Sequence, residues 1–200
     1  MQDSFYGEEI IKLEAVITEI TARLNVIRKY EKIHSERDPI EYIKIRIKSE
    51  ESMKEKLKRK NLEVNLENAL TKVYDAAGIR IVCAYIDDVY SIVKMLKQYD
   101  DLSVIKEKDY IKNPKENGYR SYHIVVSVPL KIAGKIYKVY LEIQIRTIAM
   151  DFWSSLEHEM KYKKNIKNPK MIAEELKRCA DGIATTDINM MAIRNMINKS

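Results

Sequence analysis

The stretch KVYLEIQIRTIAMDFWSSLEHEMKY, Lys138 to Tyr162, changes its hydrophobic period halfway along. Val139, Leu141, Ile143 and Ile145 fall on every second position, with Tyr140, Glu142, Gln144 and Arg146 between them. That alternation predicts a strand with one buried face. Beyond Arg146, the residues Ile148, Phe152, Leu156 and Met160 recur every fourth position with Trp153 beside them, so a helix begins near Thr147, a suitable N-cap. The strand's polar face aligns a carboxylate, an amide and a guanidinium, and chemistry is expected there. A lone Glu on a sheet is more often simply solvated. The rest of the chain decides between the two.

Immediately upstream, Tyr122, Ile124, Val126 and Val128 alternate with Ser121, His123 and Ser127, and a turn at Ala133-Gly134 closes an antiparallel hairpin. Tyr119 and His123 fall on its polar side. Between Asp100 and Gly118 the apolar pattern thins while Lys106, Lys108, Lys112 and Lys115 accumulate around Asn113-Pro114 and Asn117-Gly118, which predicts a basic, mobile loop. Ile79 to Tyr85 is a short apolar run suited to a buried strand, with Asp75 before it and Gly78 permitting close backbone approach. A helix starting at Asp87 or Asp88 follows, with Val89, Ile92, Val93 and Leu96 on one face.

In YIKIRIKSEESMKEKLKRK, residues 42 to 60, Ile43, Ile45 and Ile47 alternate with Tyr42, Lys44, Arg46 and Lys48, a strand with a basic face. Ser49 caps the next helix, whose first turn holds Glu50 and Glu51 against the positive end of the helix dipole. Arg46, Lys48, Ser52 and Lys56 can then converge, although lysine runs on helices are usually solvated faces. Earlier still, Ile10, Leu13, Ile17, Ile20, Leu24 and Ile27 form a stripe on a long helix ending near His34. Periodicity alone leaves open whether it packs on its own domain or between subunits. The tail from Asn168 is helical, with Ile172, Leu176, Cys179 and Ile183 on one face, continued by Met190, Ile193 and Ile197 past a weak point at Gly182.

The 200 residues suit one domain, divided here as an N-terminal helix (1–35), a catalytic core (42–163) and a helical tail (168–200). A net charge of +6 points mildly toward polyanions such as nucleotides or RNA. Cys83 and Cys179 are too few for a disulfide framework or a zinc site, and no stretch approaches the roughly 20 apolar residues of a membrane span. A soluble, cytoplasmic protein without a membrane partner is expected. Strands and helices are expected to alternate along the chain, with an antiparallel hairpin at Ala133-Gly134.

Two carboxylates beside strands, Asp75 and Glu142, together with many cations, suit metal-assisted phosphoryl chemistry, because Mg²⁺ takes one or two carboxylates plus substrate phosphates. Four ordered segments sharpen this: Arg46-x-Lys48-x-x-x-Ser52-x-x-x-Lys56, Asp75-Ala-Ala-Gly-Ile-Arg80, Asn117-Gly-Tyr-Arg-Ser-Tyr-His123, and Glu142-Ile-Gln-Ile-Arg-Thr147 followed by Ala149-Met-Asp-Phe-Trp153 and Leu156-Glu-His158. In this order they resemble the (p)ppGpp synthetases related to the RelA and SpoT proteins, in particular the small alarmone synthetases of the RelQ type.

The resemblance covers nearly the whole chain and implies an α/β fold in the mixed α+β sense, a mixed central sheet of about five strands flanked by helices, nucleotidyltransferase-like and with long N- and C-terminal helices. It implies transfer of pyrophosphate from ATP to the ribose 3′-hydroxyl of GDP or GTP, making the alarmone of the stringent response. Arg46 and Arg80 would sandwich adenine, and Lys48, Ser52 and Lys56 would hold the triphosphate. Asp75 and Glu142 would bind Mg²⁺, with Glu142 also the general base. Tyr119 would stack on guanine, with Lys115, His123, Gln144 and Asp151 completing the acceptor site; Asp151 stands where an Asn is expected as a guanine contact. As partners the resemblance implies a homotetramer, a single-stranded RNA regulator and an alarmone bound between subunits. For that last site Arg28, Glu41 and Tyr42 match, while Thr21 and Asn25 replace expected basic residues. Among other classes, a pyrophosphokinase with an adenine-nucleotide or tRNA acceptor and a non-catalytic nucleotide or RNA binder remain open.

Overall fold

The computed structural model describes residues 5–161 and 168–198, so the expected end of the catalytic core at residue 163 lies outside the described residues. In chain order the elements are α1 (Glu9–His34), β1 (Ile40–Ile47), α2 (Glu50–Arg59), α3 (Leu66–Thr71), β2 (Ala77–Cys83), α4 (Ile86–Leu96), β3 (Ser103–Asp109), β4 (Tyr122–Ile132), β5 (Lys135–Thr147), α5 (Ile148–Lys161) and α6 (Pro169–Ile197). The five strands form one sheet in the order β1-β2-β5-β4-β3. Only β2 and β5 run parallel; the other pairs are antiparallel, so the sheet is mixed.

Strand gives way to helix at the predicted junction, although the helical stripe Ile148, Phe152, Leu156 and Met160 is exposed and Met150 and Trp153 are buried in its place. Val139, Leu141, Ile143 and Ile145 are all buried. Thr147 ends the strand, and its Oγ1 accepts from the Met150 backbone N–H at 3.1 Å, an N-cap bond. Ser49 caps α2 in the same way, accepting from the Ser52 N–H at 3.3 Å. α4 begins slightly before the expected Asp87, because Tyr85 occupies the cap position and its N–H bonds back to the Asp88 carboxylate at 3.2 Å. The hairpin turn falls on Ala133 and Gly134, both with positive φ (47° and 80°), the backbone a two-residue turn requires.

The α1 stripe is used up within the chain. Leu13, Val16, Ile17, Ile20, Leu24 and Ile27 are buried in a single core cluster with Ile79, Ile81, Leu141, Ile143 and Ile145 from the sheet. α1 and α4 thus cover one sheet face, and the stripe is not the intersubunit contact left open by its periodicity. On the edge strand β1 the alternation survives only partly: Ile43 and Ile47 are half-buried, whereas Ile45 is 59% exposed.

Two further expectations fail, the second in part. The basic segment after Asp100 is not all loop, because Ser103–Asp109 is the edge strand β3, paired with β4 through a register shift between Val104 and Lys106. An edge strand exposed on both faces needs no apolar alternation, and charged side chains there discourage further pairing. The tail's apolar stripe is its packed face only in the first half, where Ile172, Leu176 and Ile183 are half-buried and the Leu176 carbonyl accepts from Trp153 Nε1 at 2.9 Å. α6 runs unbroken past Gly182, with Ile188, Met190, Ile193, Met196 and Ile197 exposed and Ala180 and Asp187 buried instead. It docks through polar groups: Asp187 accepts from Thr147 Oγ1 at 2.6 Å, Arg120 pairs with Asp181 at 3.0 Å, and Arg194 pairs with Asp87.

Candidate active site

The face of the sheet opposite α1 and α4 carries the expected chemistry in two cross-strand rows. Arg46 lies opposite Gly78, which lies opposite Glu142, which lies opposite Val125. One step along, Lys44, Arg80, Gln144, His123 and Lys108 form the second row. This follows from the two-residue period: once the register is set, every second side chain of adjacent strands meets. At Gly78 a Cβ would stand 3.4 Å from both Cγ and Nε of Arg46, at the edge of ordinary contact, so the glycine leaves the Arg46 side chain room on this row.

The rows border two cavities. One, of about 200 Å³, is lined by Lys44, Arg46, Gly78, Arg80, Glu142 and Gln144, with Ile45 and Ile79. The other, of about 270 Å³, is lined mainly by cations, among them Lys56, Lys106, Lys108 and Lys115, together with Asp75, Tyr110, His123 and Glu142. Glu142 lines both.

Asp75 is 5% exposed, and its Oδ2 accepts from Lys48 at 3.2 Å and Lys56 at 2.5 Å. Its Oδ1 is buried without a hydrogen-bond partner, although Asp75 lines the lysine-rich cavity. A carboxylate with one oxygen spoken for and the other open fits a cation that takes few protein ligands, as Mg²⁺ does. Among the described residues no cluster of three or more His, Cys, Asp or Glu side chains could hold a metal alone.

Glu142 Oε2 accepts from Gln144 Nε2 at 2.8 Å, and Oε1 lies 3.5 Å from His123 Nδ1. Burial by itself would raise the carboxyl's pKa, but the bonds from His123 and Gln144 and the charge of Lys56 outweigh it and hold the pKa at about 2. Burial, reinforced by Arg146 and Lys115, lowers the His123 pKa despite Glu142, so the ring is neutral at neutral pH. The network then assigns its tautomer. Nδ1–H faces Glu142, and Nε2 accepts from the Tyr119 hydroxyl at 2.8 Å, which in turn accepts from Arg146 Nη2 at 2.6 Å. The Lys115 ammonium lies over the Tyr119 ring, 4.6 Å from its centroid.

Arg46, Arg80, Lys48, Lys56, Lys115, Tyr119, His123, Asp75 and Glu142 are therefore gathered on one face. Gln144 joins them, but it lines the cavity of Arg46 and Arg80 rather than the lysine-rich one. Ser52 is exposed, borders neither cavity, and its Oγ accepts from Ser49 Oγ at 3.0 Å. Asp151 departs furthest from expectation. It is 3% exposed; Oδ1 accepts from Arg80 and Arg146, each at 3.1 Å, and Oδ2 accepts from the Tyr42 hydroxyl at 2.8 Å with Lys44 at 3.7 Å. Each oxygen thus already accepts within the chain, and the side chain itself is buried. Of the three residues matched to an intersubunit site, Arg28 is tied to Asp38 at 2.7 Å, Glu41 is exposed on β1, and Tyr42 is drawn toward Asp151.

Sequence reasoning passed over Lys44, Lys60, Lys72 and Tyr110, all of which border the cavities. Lys44 was in phase with Arg46 and could have been found. Lys60, Lys72 and Tyr110 come from segments whose approach only the tertiary fold fixes.

Comparison with known proteins identifies the family. Residues 45–167 match the region found in RelA / SpoT proteins. The GTP pyrophosphokinase YwaC of Bacillus subtilis is 40% identical over 194 residues, covering 96% of this chain and 92% of that protein. The crystal structure of small alarmone synthetase 2 from Bacillus subtilis superposes with a TM-score of 0.84 at 39% identity, covering 94% of this chain and 97% of the other. That of small alarmone synthetase 1 from the same organism, bound to its product pppGpp, gives 0.83 at 35% identity over 92% and 94% of the two chains. With the matched region spanning the whole carboxylate-bearing sheet face, the chain belongs to the RelA/SpoT family.

Proposed function

We propose that the chain is a GTP pyrophosphokinase, a small alarmone synthetase acting as a single domain over residues 1–200. It moves the β,γ-pyrophosphoryl group of ATP onto the ribose 3′-hydroxyl of GDP or GTP. The observation that carries this reading is Glu142, which borders both the arginine-lined and the lysine-lined cavity and so stands where two nucleotides would meet. In the reaction a bond forms between the 3′-oxygen and the ATP β-phosphorus. The bond from that phosphorus to the α,β-bridging oxygen breaks, AMP leaves, and the 3′-hydroxyl proton passes to Glu142.

Arg46 and Arg80 form the donor-base clamp, for which flat guanidinium groups suit a ring system better than ammonium groups. Lys48 and Lys56 receive the triphosphate, exchanging Asp75 for phosphate oxygens as partners, while Ser52, exposed outside both cavities, reaches it only once the nucleotide is bound. Asp75, through its open Oδ1, and Glu142 would hold Mg²⁺, which supplies charge neutralisation on the transferred phosphates. Tyr119 offers its ring to guanine once Lys115 swings from that ring to the acceptor's phosphates, and His123 orients Glu142. Catalysis rests on alignment and charge stabilisation.

Labelled ATP incubated separately with GDP, GTP, GMP, ADP and tRNA tests the reading. Guanine-nucleotide product with equimolar AMP is expected. Product with ADP or tRNA alone would reassign the acceptor, and no product in any lane would sink the proposal. The same reading makes the protein cytoplasmic, regulated by single-stranded RNA, and homotetrameric. A monomeric mass in light scattering would remove the assembly, and unchanged mobility with single-stranded RNA in a gel-shift assay would remove that partner.

A further inference from the structure

Asp151 is the one acidic side chain found between Arg80 and Arg146, and its Oδ1 is shared equally by them, 3.1 Å from each. Those two guanidinium groups serve different places. Arg80 lines the cavity of Arg46 and Gln144, while Arg146 reaches the Tyr119 hydroxyl with the same Nη2 that donates to Gln144 Oε1 at 3.0 Å. Resting on the reading above, in which Arg80 clamps the donor base and Tyr119 stacks on the acceptor base, we infer that Asp151 is a positioning residue for both nucleotides and makes no contact with guanine.

The physical need is plain. Arg80 is flanked by Arg146 and Arg46, and three like charges on adjacent strands would splay apart without a buried counter-charge. Rotation about χ angles would let Arg80 leave the cavity, since its Nε has no partner to hold it. Asp151 fixes one Arg80 nitrogen and one Arg146 nitrogen, and is itself fixed from the far side by the Tyr42 hydroxyl on the edge strand. A carboxylate suits this place better than an amide: three of its four neighbours, Arg80, Arg146 and Lys44, are cations, and an amide would carry no charge to balance them.

Steady-state kinetics and binding of each nucleotide alone, on wild type, Asp151→Asn, Asp151→Ala and Tyr42→Phe, test the inference, with GDP and IDP as paired acceptors. Loss of the shared charge should raise KM for ATP and for GDP together, each about tenfold in Asp151→Asn and more in Asp151→Ala, the size of one charge-assisted hydrogen bond. Tyr42→Phe should shift both in the same direction by less. The GDP-over-IDP preference should stay as in wild type, because inosine lacks only the N2 amine that a base-contacting Asp151 would read. A rise in KM confined to GDP with a fallen GDP-over-IDP ratio would overturn the inference, as would wild-type KM values for both substrates in the Ala variant. Asn is nearly isosteric, so it carries the test if Ala does not fold. An inactive wild type would instead count against the proposed reaction itself.

Discussion

Glu142→Gln separates charge from volume at the junction of the two cavities. In the wild type, Oε2 accepts from Gln144 and Oε1 faces the protonated Nδ1 of His123. Gln keeps the shape but turns one acceptor into a donor. If the amide oxygen stays on Gln144, the new NH₂ meets His123 Nδ1–H. Shifting that proton to Nε2 only moves the conflict to Tyr119, whose hydroxyl is already receiving from Arg146. Flipping the amide sends the conflict to Gln144, whose oxygen is committed to Arg146. The ground-state cost is one charge-assisted bond and one unsatisfied donor, about 2 to 3 kcal/mol, partly offset by no longer burying a charge. Turnover should fall by about 10³-fold or more, the scale of a lost general base with a lost metal ligand added. AMP release with GDP as acceptor measures it, and melting temperature controls for folding.

The same variant reports on pH. The Glu142 pKa is about 2 in the folded chain against an ordinary 4.5, so between those values the unfolded chain binds the extra proton and stability rises with pH. This contribution is complete above pH 4.5 and gone as pH falls through 2, amounting to about 3 kcal/mol at most. The stability difference between wild type and Glu142→Gln should therefore shrink across that window in acid titrations followed by circular dichroism. Turnover within about threefold of wild type, a barrier change under 1 kcal/mol, would remove Glu142 from the mechanism. A stability difference flat with pH would refute the hydrogen-bonding account of its low pKa.

Tyr119→Ala should raise KM for the guanine nucleotide more than for ATP, by the ~1 to 3 kcal/mol that a base–aromatic stack contributes; equal losses for both substrates would contradict the assignment. Gly118→Val should destabilise by about 2 kcal/mol or more, since Gly118 has φ +86° and a Cβ there would stand 2.6 Å from Ala180 Cβ, and it should loosen the adjacent Tyr119; an unchanged melting temperature would show that α6 does not buttress this loop. Leu24→Glu should unfold the chain and not merely dissociate an assembly, because Leu24 is fully buried in the chain's own core; a folded, smaller soluble species would contradict that packing.

Local pattern determined much of this protein. The strand-to-helix junction at Thr147, the hairpin at Ala133-Gly134 and the Ser49 cap are set by short-range chemistry and by periods that a half-buried element must obey. Because the period of a strand is two, the same pattern placed Glu142, Gln144, Arg146 and His123 on one face before any partner strand was known. The four motifs then named the donors and acceptors on it. What the sequence withheld depends on contacts between distant segments. β3 was illegible because an edge strand exposed on both sides buries nothing and so carries no period. The second half of the tail's stripe misled because there α6 is held by polar anchors, Asp187 and Arg194, which periodicity does not score. α1 showed its stripe but not the partner, since a helix looks the same against its own sheet or another chain. Asp151 lies at the end of this series. The resemblance suggested a base contact there, whereas the convergence of Tyr42, Arg80 and Arg146 from β1, β2 and β5, far apart in sequence, is what buries it as an internal counter-charge.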